Sequence, residues 1–195
     1  MQYCYKLIIC IYMIKNIWDD KYIFFYGAIV QIYIASAFYL NKSRETDGFI
    51  KNILIIGILF LAIDMILRIN KENKGTIYSS IIGITGHTLI MVYYILVALT
   101  TVSFYNINFK SIFDIGIIIG QISVILLYLL EIIYNNKKKS YLVKSFYVYI
   151  FLLLTILFIS HSFYSKISGN KMFLSYLFLG ILNYLFLMYE ILPKE

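Results

Sequence analysis

Six stretches of this 195-residue chain are almost unbroken by polar side chains: residues 22–40, 50–69, 77–101, 112–134, 142–163 and 172–192. Each is long enough to cross about 30 Å of hydrocarbon as a helix rising about 1.5 Å per residue. Abundant Ile and Tyr favour strands by propensity. Yet the runs do not alternate, and they are about twice the length of a barrel strand. The pattern therefore predicts six transmembrane helices. Ahead of them, residues 1–18 (MQYCYKLIICIYMIKNIW) carry an apolar stretch broken by Lys6 and Lys15, with no small-residue cleavage site behind it. That segment predicts an uncleaved first helix or an interfacial anchor. The expected fold class is an all-α integral membrane protein, one compact bundle of six to eight transmembrane helices over residues 1–195.

The gaps between runs read NKSRETDGF, NKENKG, NINFKS, NNKKKS and KISGNK, the Asn, Gly, Ser and Lys of turns at a membrane surface. None is long enough to link separate domains, and no internal repeat divides the chain. The only proline, Pro193, ends the last run, so no span carries a proline kink.

Composition strengthens this picture: 62% of residues are hydrophobic and 14% charged, against roughly 45–50% and 25% in soluble domains. A net charge of +7 would suggest nucleic acid in a soluble protein. Here Lys and Arg cluster in the gaps, where they mark topology, and no nucleic-acid partner is expected. The amino-terminal segment, the Arg68–Lys74 gap, the Lys137–Lys144 gap and the tail outweigh the other gaps by 11 to 6 in Lys and Arg. Those regions are therefore expected on the cytoplasmic side, and a bacterial inner membrane is the expected location. Cys4 and Cys10 lack a CxxC spacing and have no nearby His, so they read as ordinary thiols.

Within the runs, ionisable side chains stand out, because a charge at bilayer depth costs about 2.5–3.5 kcal/mol even on lenient scales. Asp64 interrupts ILFLAIDMILRI, with Arg68 one turn later in the acid-then-base order that pairs well. Two readings stand: a structural pair with Arg68 snorkelling to water, or a functional carboxylate. In YSSIIGITGHTLIMVYY, Ser79, Gly83 and His87 recur every four residues. Such a stripe admits a neighbouring helix closely and would bring His87 toward Asp64 of the preceding span. Gly116 and Gly120 form a GxxxG packing motif, and Asp114 is structural at the start of its span. Glu131 either reaches toward the Lys137–Lys139 cluster or faces the bundle. His161 and Glu190 lie near the ends of their spans, where interfacial solvation explains them.

The stretch GILFLAID, followed some twenty residues later by IIGITGH, resembles the two central helices of the YhhN family, the lysoplasmalogenases. Members are compact eight-helix membrane proteins with a Gly-Asp in one helix and a Gly-His in the next. The resemblance covers residues 50–100. It places Asp64 at the family's first aspartate and His87, preceded by Gly86, at its histidine. Ile63 replaces the glycine before that aspartate, Gly83 stands where phenylalanine is common, and Ile90 replaces a tyrosine. For the family's late aspartate, either FISH at 158–161 offers His161 or FLMYE at 186–190 offers Glu190; helix order favours Glu190.

The resemblance implies hydrolysis of a lysoplasmalogen vinyl ether to a fatty aldehyde and a glycerophospho-alcohol. Asp64, His87 and Glu190 are then the expected catalytic residues, with Arg68, Gly83 and Gly86 on the substrate-binding side. No cofactor or metal is expected, and the partners are a lysophospholipid or other lipid substrate and the membrane itself. The competing expectation is a small transporter or ligand-binding subunit using the same polar pair; a third is an assembly protein in which the pair only fixes helix register.

Overall fold

A computed structural model describes residues 20–40, 48–70, 76–101, 109–134 and 141–191. Among them are six α-helices and no strand: α1 Asp20–Leu40, α2 Gly48–Ile69, α3 Ile77–Thr101, α4 Phe109–Tyr134, α5 Tyr141–Ile167 and α6 Phe173–Ile191. The expected segment over 1–18, with both cysteines, lies outside the described residues.

Five helices are long and apolar enough to cross a membrane, over Tyr22–Leu40, Gly48–Ile69, Ile77–Val97, Ile112–Ile133 and Ser145–Ile167. The chain is a multi-pass membrane protein. Helix α6 is equally apolar but has 19 residues, about 28 Å of rise, just under the hydrocarbon thickness. Consecutive helices pack side by side, and α6 returns to α1, so the six close into a ring.

The outer surface makes the membrane reading physical. On α4, Ile112, Ile115, Ile119, Ile122, Leu126 and Leu129 are all exposed. Their spacing of three or four residues draws a continuous apolar stripe. An equivalent stripe runs along α2 through Ile56, Leu59, Ile63 and Ile66. In water such faces would drive association; in lipid they are solvated. Inside the ring, Leu54, Leu61, Phe113, Ile117, Leu127 and Phe158 belong to one buried cluster.

Lipid supplies little drive to press apolar helices together, so close packing must. Helices α2 and α3 meet backbone to backbone: a Cβ on Gly86 would lie 2.9 Å from the Gly57 carbonyl oxygen, and one on Gly57 would lie 3.0 Å from that of Gly86. The GxxxG pair of α4 receives Leu157 and Leu154 of α5, as the sequence motif anticipates.

Two caps fix helix boundaries. Thr76 accepts the Ser79 amide at 3.4 Å before α3, the usual N-cap arrangement. At the end of α5, Gly169 takes φ 72°. The Asn170 amide reaches back to the Ser165 carbonyl at 2.8 Å and the Gly169 amide to that of Lys166 at 3.2 Å. This is a Schellman ending, and it turns the chain into α6.

Candidate functional site

The ring encloses a cavity of about 450 Å³, within the range of small-molecule sites. Most of its wall is apolar, including Ile34, Leu54, Ile58 and Phe158. Its polar lining includes Gln31 of α1, Arg68 of α2, His87 of α3, and Gln121, Tyr128 and Glu131 of α4.

Arg68 organises one end. Its Nε donates to Asp64 Oδ1 at 2.9 Å, the pair one turn apart on α2. Its two terminal nitrogens donate to Glu131 of α4, Nη1 to Oε1 at 3.1 Å and Nη2 to Oε2 at 2.8 Å. The second contact is the bidentate fork in which a guanidinium matches a carboxylate plane. Ser80 of α3 donates its hydroxyl to Glu131 Oε2 at 3.2 Å, and Tyr128 donates its own to Asp64 Oδ2. Three helices are thus tied by one polar network. All four carboxylate oxygens accept a hydrogen bond, which relieves the cost of burying them.

Tyr128 stands at the centre. Its ring lies 4.9 Å from Arg68 Cζ, a cation–π contact, and 5.6 Å from the His87 ring centre. Gly83 makes this possible, because a Cβ there would overlap the tyrosine ring. His87 Nδ1 is hydrogen-bonded to Gln121 Oε1. An amide oxygen only accepts, so Nδ1 carries the proton and the neutral ring's Nε2 remains an acceptor.

The structure places most of the residues singled out in the sequence. Asp64 and Arg68 pair, but Asp64 is 0% exposed and stands behind Arg68 and Tyr128 rather than on the cavity wall. His87 does line the cavity, and Tyr128 bridges the gap between it and Asp64. Gly83 and Gly86 serve helix contacts and do not line the cavity. The Glu190 side chain lies outside the described residues. His161 stacks on Phe113, ring centres 3.6 Å apart, and meets Tyr176 edge-on at 4.3 Å.

Of the two readings open for Glu131, the structure adopts the one facing the bundle, where this residue supplies the second carboxylate. Sequence reasoning passed over Tyr128, Gln121, Ser80 and Gln31. A signal existed for α4: Gln121, Tyr128 and Glu131 recur at intervals of seven and three residues, which aligns them on one face of a mostly apolar helix. Among the described residues, no three His, Cys, Asp or Glu side chains gather as a metal set would. No protein-family model, curated protein or solved structure matches the chain.

Proposed function

We propose that the protein is an intramembrane hydrolase of the lysoplasmalogenase kind, cleaving the vinyl ether of a single-chain ether lipid inside its helix ring. One observation carries the reading: two carboxylates share Arg68 at one end of a mostly apolar cavity that an imidazole also lines. The apolar remainder suits a hydrocarbon chain.

A vinyl ether resists base and breaks after protonation at the carbon beyond the enol carbon–oxygen bond. Asp64 and Glu131 share a single guanidinium, which leaves one negative charge in excess. In this reading Glu131, the carboxyl on the cavity wall, takes up one proton, turns that oxygen from Arg68 toward the substrate and is the donor. Proton transfer to that carbon leaves an oxocarbenium ion facing the new Glu131 carboxylate, an arrangement that stabilises charge where it develops. Water adds to the cation as His87 Nε2 takes its proton, giving a hemiacetal. Collapse returns the hemiacetal hydroxyl proton to Glu131, while the imidazolium protonates the departing alkoxide. Aldehyde and alcohol are released with one water consumed. Asp64 is a positioning residue, holding Arg68 and Tyr128 without touching substrate.

The test is aldehyde release from a lysoplasmalogen by the purified protein in detergent. Glu131→Gln is expected to abolish release, and Asp64→Asn to lower it, in proteins whose helical circular dichroism is unchanged. Lysoplasmalogen bound and recovered intact by the wild type would overturn hydrolysis in favour of a carrier.

A further inference from the structure

Gln31 is 6% exposed and lines the cavity. It makes no hydrogen bond to any described residue, and it belongs to none of the contacts above. Its carboxamide faces the cavity, where a guest can meet its hydrogen-bonding groups. Other mid-span polar groups of the wall include Asn183, whose Nδ2 donates to the Leu179 carbonyl at 2.8 Å, and His87 and Gln121, whose mutual hydrogen bond leaves His87 Nε2 as an acceptor and the Gln121 amide nitrogen as a donor. Gln31 contributes one oxygen acceptor and an NH2 donor. What satisfies such a set both gives and receives a hydrogen bond, as a hydroxyl does; a carbonyl, which only accepts, would leave the acceptors unmet. Through the Tyr128 ring, 4.9 Å from Arg68 Cζ and 5.6 Å from the His87 ring centre, the His87 ring lies within about 11 Å of Arg68.

We propose that Gln31, with the His87–Gln121 pair, binds a free hydroxyl of an amphiphile whose hydrocarbon chain fills the apolar part of the cavity. This rests on the proposed function only in taking the cavity to hold a lipid; it needs no chemistry at the ether.

The test uses two probes without a vinyl ether or a phosphate: 1-O-hexadecylglycerol, and its 2,3-di-O-methyl ether, which has lost both hydroxyl protons. Their affinities for the full-length protein in phosphatidylcholine nanodiscs are measured by equilibrium binding of the tritiated compounds. Wild type is expected to prefer the free alcohol by about tenfold, the worth of one buried hydrogen bond. Gln31→Leu is expected to erase that preference by weakening only the alcohol. Gln31→Met, closer in length, carries the same comparison if the leucine variant does not fold. A preference unchanged in both variants, or no preference in wild type, would overturn the proposal and leave Gln31 as a residue solvated by water. Failure of aldehyde release with this preference intact would sink the hydrolase reading alone; release without the preference would sink this one alone.

Discussion

Arg68 commits three of its N–H groups to two carboxylates that sit 67 positions apart in the chain as Asp64 and Glu131. Arg68→Met leaves both acids buried beside each other with no cation, and breaking a buried pair in this way costs about 3–5 kcal/mol. Thermal unfolding in detergent should show a large fall in Tm for Arg68→Met. Arg68→Lys should fall part of the way, since an ammonium cannot form the fork. Tyr128→Phe removes only the hydroxyl that meets Asp64 Oδ2 and should cost about 1–3 kcal/mol by the same measurement. The Asp64–Arg68 half of this network was legible in the sequence because both residues lie on one helix, a turn apart. Its Glu131 half was left open, because the line of Gln121, Tyr128 and Glu131 marks one face of α4 but nothing local says which helix that face meets. Tyr128 was hidden for a related reason: its place depends on the missing side chain of Gly83 on another helix.

At the scale of helices, the apolar runs and the observed elements agree closely, and where a helix outruns its apolar stretch the cause is the backbone. Helix α4 begins at Phe109, before the run that opens at Ile112, and α5 continues to Ile167, past Ser162, Ser165 and Lys166. Backbone hydrogen bonds continue past the point where side chains turn polar, so a hydropathy pattern marks the lipid boundary rather than the helix end. The glycines set how near the helices come. Gly86→Ala should push α3 from α2, since the new methyl group meets both Leu61 and the Gly57 carbonyl; overpacking of this kind costs about 1–3 kcal/mol. Gly169→Ala acts through the backbone instead, because φ 72° is left-handed and costs a side-chain-bearing residue about 1–2 kcal/mol. Denaturation in detergent would read both, and only the Gly86 change should also disturb ligand binding.

For the whole molecule, charge distribution sets the orientation. Cations concentrate in the gaps after α2 and α4, which predicts those gaps on the cytoplasmic side and the α5–α6 turn opposite. In a chain with Cys4 and Cys10 replaced by serine, Asn70→Cys and Asn170→Cys offer thiols at two exposed positions. A membrane-impermeant maleimide applied to intact cells should label position 170 and spare position 70. The closed ring itself was not legible, because hydropathy gives the number of crossings and not which helix neighbours which.

Arg68 is the penultimate residue of α2, and Glu131 stands three residues before the end of α4. The ionic groups therefore sit close to the headgroup layer, with the greasy space extending inward from them. An amphipathic guest entering sideways could keep its hydrated end level with the surrounding phospholipids and submerge only its tail, so no ionic moiety need be dragged across the bilayer's oily middle for the guest to be seated.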